Sequence, residues 1–160
     1  MLIGVVSDTH GHVEYTRPAV EALAAYDVQQ VLHCGDIGSP AIVPQFARWP
    51  THFVFGNVDY DHTQLQQVIE DAGQTCHGRF GSLTLGERRI ALLHSDDERR
   101  FRETTTSGEW DLVCYGHTHV AEHHWEGETL VLNPGAVYRA SPHTLAIVEL
   151  SSLEVVSVTL

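Results

Sequence analysis

Five short apolar runs in this chain are each followed closely by aspartate, asparagine or histidine. The runs and their endings are LIGVV with SDTH, VLHC with GD, HFVF with GNVD, IALL with HSD, and LVCY with GHTH. Apolar runs of this length predict buried strands. In open α/β sheets, ligands bind outside the carboxyl ends of the strands. The five endings therefore predict one polar patch at a shared edge of the sheets.

Helical patterns separate the apolar runs of the first half. We predict helices from about Tyr15 to Tyr26, from Pro40 to Arg48 with Ser39 as N-cap, and over DHTQLQQVIEDAG, which Gly73 closes. Strands that alternate with helices of this length predict βαβ units and a parallel sheet.

The second half contains strands that follow one another closely. A hairpin, SLTLGERRIALLHS, is predicted to turn near Gly86–Glu87, and a charged helix to follow from Asp96 to Thr105. The segments DLVCYG, VAEHHWEG, ETLVLNPG, TLAIVEL and EVVSVTL leave too little room for helical crossovers, so we predict antiparallel strands. Together the halves predict an α/β fold, with two mixed β-sheets packed face to face and helices outside, in one domain of residues 1–160.

The charge balance argues against partners that are bound through a basic surface. The chain of 160 residues has a net charge of −12, and all nine of its basic residues are arginine. We therefore expect neither long nucleic acids nor membranes as partners. The cysteines Cys34, Cys76 and Cys114 form no close pair. We find no signal-peptide pattern and no apolar run of the ~18 residues that a membrane span requires, so we expect a cytoplasmic protein with reduced thiols.

The polar endings supply enough ligands for a metal centre. The candidates are Asp8, His10, Asp36, Asn57, His94, His117 and His119. In an extended chain, residues i and i+2 lie ~6.6 Å apart on the same side, so DTH and GHTH each aim two side chains at one small volume. Seven ligands exceed the need of a single zinc ion and suit two ions that share a carboxylate. The mixture of imidazole, carboxylate and amide favours Mn²⁺, Fe²⁺ or Zn²⁺ over Mg²⁺ or Ca²⁺. Any one of these motifs alone could be a cap or a turn, but five together favour a site.

The ordered set SDTHG, HCGD, GNVD, a strand ending in histidine, GHTH and NPG resembles the calcineurin-like metallophosphoesterases. It is most similar to their small single-domain bacterial and archaeal phosphodiesterases, from Met1 to about Leu150. The resemblance implies a four-layer αββα sandwich and a dinuclear centre. Its ligand set would be Asp8, His10 and His119 for the first ion, Asp36 as the bridge, and Asn57, His94 and His117 for the second.

The same resemblance implies a reaction. Two divalent ions per chain would be bound, with Mn²⁺ expected first and Fe²⁺, Zn²⁺ or Ni²⁺ as alternatives. A water or hydroxide bridging the ions would attack phosphorus, and the ions would neutralise charge in the transition state. The substrate would be a small phosphodiester or nucleotide, and a homodimer is implied by the resemblance alone.

The chain departs from the family pattern at the proton donor. Val58 stands where many members have the histidine that is assigned as general acid. The donor therefore stays open among His12, His33 and His62. Asp59 would either orient a ligand from behind or reach the substrate.

Three further positions bear on the substrate side. Ser95 replaces a frequent glycine after the fourth-motif histidine, and Ala136 replaces the usual serine of NPGA. We expect Asn57 and Arg139 to contact substrate, Arg139 through a phosphate oxygen, although a surface arginine without this role is the alternative.

The sequence leaves two classes of function open. The first is a Mn²⁺-preferring phosphodiesterase. The alternative is a catalytically weak or inactive scaffold, because a retromer subunit resembles this fold but has an incomplete metal centre. A protein phosphatase is less favoured, because the histidine after Asn57 and an arginine-rich phosphate cradle are both missing.

Overall fold

Two β-sheets packed face to face form the centre of the molecule, and the computed structural model describes all 160 residues. The strands are β1 (Leu2–Val6), β2 (Gln30–His33), β3 (Thr51–Phe53), β4 (Thr75–Cys76), β5 (Phe80–Leu85), β6 (Arg88–Leu93), β7 (Leu112–Cys114), β8 (Ala121–Glu126), β9 (Thr129–Pro134), β10 (Thr144–Glu149) and β11 (Glu154–Thr159). The helices are α1 (Val13–Ala25), α2 (His62–Asp71) and α3 (Glu98–Thr106), and a 3₁₀ helix spans Pro40–Phe46. The strand order is β11-β10-β1-β2-β3-β4 in the first sheet and β5-β6-β7-β9-β8 in the second.

Apolar side chains alternate along the central strands between two buried faces. In β1, Ile3 and Val5 face the second sheet, whereas Val6 packs with α1, α2 and the 3₁₀ helix. In β6, Leu92 lies between the sheets and Leu93 packs on the side of α3. Because both faces of these strands are covered, their sequences are nearly continuous apolar runs. The predicted four-layer αββα sandwich is confirmed.

The parallel half and the hairpin of the prediction are confirmed. Strands β1, β2 and β3 pair in parallel. Strands β5 and β6 pair antiparallel around Gly86 and Glu87, whose φ angles of 52° and 68° are those of the type I′ turn that suits a two-residue hairpin.

The prediction that all later strands are antiparallel is wrong for β7. This strand runs parallel to both of its neighbours, β6 and β9. Helix α3 is the crossover from β6 to β7, and β8 lies at the sheet edge, so that β7 and β9 meet in the same direction. The pairs β8–β9 and β10–β11 are antiparallel as predicted, and β10 joins the first sheet beside β1. The short β4 was not predicted.

The predicted helices exist with shifted bounds. The segment from Pro40 is a 3₁₀ helix that ends at Phe46, since Pro44 has no N–H to extend an α-helical ladder. Its predicted N-cap is confirmed, because the Ser39 side chain accepts a hydrogen bond from the Ala41 backbone N–H. Gly73 follows α2 with a φ of +71°. None of the helices combines the length and apolar character of a membrane span.

His33 is a fully buried histidine that packs against the apolar core between the first sheet and its helices. Its ring lies 5.4 Å from that of Phe53 and 5.8 Å from that of Phe46, and its Nε2 is 3.1 Å from Thr9 Oγ1. Burial lowers the pKa of His33 to about 4, because the charged imidazolium would lose its hydration there. The folded protein therefore holds this side chain neutral.

We predict that His33 makes the protein sensitive to mild acid. An unfolded histidine takes up its proton below about pH 6.5, whereas folded His33 does so only near pH 4. This residue's contribution to the free energy of unfolding is therefore complete above pH 6.5 and falls by up to about 1.4 kcal/mol per pH unit towards pH 4.

Urea unfolding of the chelator-treated protein at several pH values measures this slope. The variant His33→Gln should be less stable at pH 7 and should have a flatter profile between pH 6.5 and 4. The exposed His124 of β8 offers the matched control, His124→Gln, which should keep the wild-type slope. Equal slopes for wild type and His33→Gln would contradict the prediction.

Candidate metal centre

The seven predicted ligands lie together at one edge of the sandwich. They follow β1 (Asp8, His10), β2 (Asp36), β3 (Asn57), β6 (His94) and β7 (His117, His119). The carboxyl ends of these five strands meet there because β1, β2 and β3 are parallel in one sheet and β6 and β7 are parallel in the other. The polar patch predicted from the five strand endings is therefore present.

One group of ligand atoms gathers around Asp8. Its Oδ1 is 3.0 Å from His119 Nε2 and 3.7 Å from His10 Nε2. The two imidazole nitrogens are 3.5 Å apart. Asp8, His10 and His119 thus place three ligand atoms within the space of one ion.

A second group gathers around His94. Its Nε2 lies 3.2 Å from Asp36 Oδ1, 3.2 Å from Asn57 Oδ1 and 4.0 Å from Asp8 Oδ1. The His117 ring centroid is 5.1 Å from that of His94. Asp36 faces both groups, because its other oxygen, Oδ2, is 3.7 Å from His10 Nε2.

A left-handed backbone, and not an extended one, brings the paired ligands together. The prediction that DTH and GHTH are extended is wrong. Five ligand residues have positive φ: Asp8 at 59°, His10 at 47°, Asp36 at 53°, His117 at 82° and His119 at 61°. This conformation is uncommon outside glycine and costs on the order of 1–3 kcal/mol per residue, and such strain clusters at functional sites. The turns curl each loop so that side chains two residues apart reach the same volume.

Glycines that precede two of the ligands leave room for the carboxylates. A Cβ on Gly56 would lie 2.0 Å from Asp36 Oδ1. A Cβ on Gly116 would lie 2.0 Å from Ser7 Oγ and 2.9 Å from Asp8 Oδ2. Neither glycine has a positive φ, so both are required by close approach and not by backbone conformation.

The buried charges in the centre stabilise one another. Burial alone would raise the pKa of Asp8, but the neighbouring His119 and His94 outweigh it and lower that pKa. In the same way, burial would raise the pKa of Asp36, but His94 lowers it. For His94, burial favours a lower pKa, and the two carboxylates raise it. Both aspartates are thus ionised at neutral pH, as metal ligands must be.

One buried oxygen in the centre lacks a hydrogen bond. Asp8 Oδ1 is buried without a hydrogen-bond partner, and the nearest imidazole nitrogen is His119 Nε2 at 3.0 Å. An unpaired buried carboxylate oxygen is costly. A divalent cation among these oxygen and imidazole donors would satisfy it, so the residues present fit metal ions of the borderline class.

Backbone carbonyls set the orientation of two histidines. His94 Nδ1 is 2.8 Å from the Cys34 carbonyl oxygen, and His119 Nδ1 is 3.1 Å from the Arg139 carbonyl oxygen. If each Nδ1–H donates to its carbonyl, Nε2 keeps its lone pair for the centre. These partners were not found from the sequence, because any residue type can supply a carbonyl oxygen.

Asp59 connects the loops that carry Asp36 and Asn57. Its carboxylate accepts hydrogen bonds from the backbone N–H groups of Ile37 (3.1 Å), Gly38 (2.7 Å) and Gly56 (2.8 Å). The side chain is only 2% exposed, so it holds the loops and does not reach substrate. Of the two roles left open for Asp59, the structure supports orientation.

The candidate proton donors are placed differently. His33 is fully buried behind Thr9 and cannot reach a substrate. His62 stacks on Phe55, with 4.4 Å between the ring centroids. His12 lies at the start of α1 and stacks on Tyr138 at 3.8 Å. No side-chain hydrogen bond joins any of the three to the seven predicted ligands.

The departures from the family pattern have specific contacts. The Val58 backbone N–H donates to Asp36 Oδ1 at 3.0 Å. Ser95 has a φ of +74°, and its hydroxyl donates to the Gly116 carbonyl oxygen at 2.9 Å, which ties the His94 loop to the GHTH loop. Ala136 is buried, and Arg139 is exposed beside the centre.

We predict that Asp59→Asn destabilises the protein by about 1–3 kcal/mol, because the amide NH₂ would face a buried backbone N–H and leave it unpaired. Asp61 provides the matched control. It caps α2 by accepting a hydrogen bond from the Gln64 N–H, and asparagine caps as well as aspartate. Asp61→Asn should therefore change the free energy of urea unfolding by less than about 0.5 kcal/mol. Similar losses in the two variants would contradict the role assigned to Asp59.

Comparison with known proteins identifies the family of this chain. A family model described as Calcineurin-like phosphoesterase superfamily domain matches residues 1–153. Phosphodiesterase MJ0936 of Methanocaldococcus jannaschii is 30% identical over 138 residues, which cover 84% of this chain and 83% of that protein.

Solved structures extend the likeness to the whole chain. An archaeal phosphodiesterase has a TM-score of 0.92 and 28% identity, with 100% of both chains covered. Vps29 of Chaetomium thermophilum, with a TM-score of 0.72 and 17% identity over 92% of this chain and 81% of its own, shares the fold. The chain belongs to the calcineurin-like phosphoesterase superfamily, among its small single-domain members, and is a hydrolase of phosphoric ester bonds.

Proposed function

We propose that this protein is a phosphodiesterase that uses two divalent metal ions, preferably Mn²⁺, to hydrolyse a small phosphodiester or nucleotide. The observation that carries the proposal is the arrangement of ligand atoms in two adjoining groups that share Asp8. The similarity to phosphodiesterase MJ0936 supports a diester as substrate.

Each group of side chains would hold one ion. Asp8, His10 and His119 would hold the first, His94, Asn57 and His117 the second, and Asp36 would bridge through its two oxygens. This assignment is supported by the approach of Asp36 Oδ1 to His94 and of Asp36 Oδ2 to His10. When bound, such ions lower the pKa of water to near neutrality and neutralise charge on phosphoryl oxygens.

The protein itself supplies positioning. Asp59 holds the Asp36 and Asn57 loops in place, and the carbonyls of Cys34 and Arg139 orient two imidazoles. Asn57 is both exposed and within 3.2 Å of His94 Nε2, so it can contact substrate as well as an ion. The exposed Arg139, whose backbone carbonyl oxygen lies 3.1 Å from His119 Nδ1, would bind a phosphate oxygen of the substrate through its guanidinium.

The Val58 side chain has no proton to donate to the leaving group. Esters whose leaving group needs no proton, such as p-nitrophenyl esters, should therefore be better substrates than alkyl esters. A cytoplasmic location and a homodimer stay predictions, supported respectively by the three unpaired cysteines and by the family resemblance.

The test combines metal analysis with hydrolysis of bis-p-nitrophenyl phosphate after addition of Mn²⁺. We expect about two ions per chain and metal-dependent turnover, since the centre has ligands for two. Asp36→Ala should lower turnover by at least about a hundredfold, because the bridge between the two groups is lost. His117→Ala should lower the metal content towards one ion per chain.

His124→Ala is the control for His117→Ala, because both histidines are exposed and only His117 lies at the centre. It should keep full metal content and turnover. A folded wild-type protein that takes up no metal and hydrolyses no ester would contradict the proposal. That result would favour the scaffold alternative.

A further inference from the structure

Four aromatic rings are packed together beside the Asp8, His10 and His119 group. His12 stacks on Tyr138, with 3.8 Å between ring centroids and 27° between planes. Tyr15 meets Tyr138 edge-on at 5.1 Å and His143 at 5.2 Å. We refer to His12, Tyr15, Tyr138 and His143 as the aromatic cluster.

The aromatic cluster is joined directly to the candidate centre. The Tyr138 ring centroid is 6.1 Å from that of His10. The Tyr138 backbone N–H donates to the Asp8 carbonyl oxygen at 3.1 Å, and the next residue, Arg139, offers its carbonyl oxygen to His119. Tyr138, on which the other rings pack, is therefore tied to the loops that carry Asp8 and His119.

The aromatic cluster does not belong to the hydrophobic core. None of its members is part of the three buried clusters. Tyr15 is 40% exposed, and the His12 side chain is 37% exposed. Aromatic rings that stack with one another and stay open to solvent at the rim of a site offer flat faces to a ligand.

The charge beside the rings narrows the class of ligand. The Arg139 guanidinium lies 5.7 Å from the Tyr138 ring centroid and is exposed. An aromatic group of this kind could take a quaternary ammonium or a flat base. The adjacent guanidinium repels the ammonium and attracts the phosphate of a nucleotide.

We propose that the aromatic cluster binds the base of a nucleotide substrate by stacking on the exposed rings of His12 and Tyr15 while the phosphodiester lies at the centre. The proposal rests on the phosphodiesterase function and names its substrate class as nucleoside phosphodiesters. Base–aromatic stacking tolerates every base, so the site distinguishes nucleotides from base-free esters and not one base from another.

A matched pair of substrates tests the stacking. Thymidine 5′-(p-nitrophenyl phosphate) and ethyl p-nitrophenyl phosphate have the same leaving group and differ in the nucleoside. We expect kcat/KM to favour the thymidine ester by about tenfold or more in the wild type. The preference should fall at least about fivefold in Tyr15→Ala and in His12→Ala, since each variant removes part of the stacking surface.

Tyr26→Ala is the matched control, because Tyr26 is also 40% exposed and lies at the other end of α1, ~16 Å along the helix axis from Tyr15. It should leave the preference unchanged. A wild-type preference near one, or an unchanged preference in Tyr15→Ala, would overturn the proposal.

A binding measurement without metal separates this proposal from the phosphodiesterase function. Saturation-transfer NMR of adenosine 5′-monophosphate with the metal-free protein should show stronger transfer to the base protons than to the ribose protons. This difference should be lost in Tyr15→Ala and kept in Tyr26→Ala. Base contact without hydrolysis of either ester would refute the phosphodiesterase function and support the stacking site. Hydrolysis of both esters at equal efficiency, with equal saturation transfer to base and ribose protons, would support the phosphodiesterase function and refute the stacking site.

Discussion

The buried carboxylate of Asp8 is the contact on which the rest of the centre depends. It follows β1, which lies between β10 and β2 in the middle of the first sheet. Its Oδ2 accepts the His117 backbone N–H at 3.2 Å, so the carboxylate links a loop of the first sheet to a loop of the second. Its Oδ1 faces the imidazoles of His119, His10 and His94 without a hydrogen bond. One side chain therefore joins the two sheets and belongs to both groups of ligand atoms.

A strained edge of this kind requires a rigid support. Five ligand residues have left-handed backbones, and two of these five, Asp8 and Asp36, are buried carboxylates. The support comes from strands that are covered on both faces and from Asp59, which binds the backbone of two ligand loops at once. Strained backbones of this kind cluster at functional sites, and here the surrounding fold maintains the strain around the candidate centre.

The sequence was sufficient for most of the fold, because the apolar runs are short, closely bounded by polar residues and separated by helical periods. It was insufficient for β7, whose parallel pairing with β9 depends on the position of β8 at the edge of the sheet. A run such as LVCY has the same composition whether its neighbours run parallel or antiparallel to it. The extended geometry assigned to DTH and GHTH was also wrong, since positive φ at aspartate or histidine has no clear sign in composition.

By itself, the sequence determined which residues are the candidate ligands: carboxylates, imidazoles and one amide at five strand ends, with glycines before three of them. The candidate ligands can be identified from the sequence because each depends on residue type. Only a few residue types bind metal or permit close approach of a backbone. Only the tertiary structure decided that Asp8 belongs to both groups and that carbonyls of Cys34 and Arg139 orient the histidines. It also decided that four aromatic residues from distant parts of the chain meet beside the centre. Such contacts depend on strand order and loop curvature, which are properties of the whole packed chain and not of any single segment.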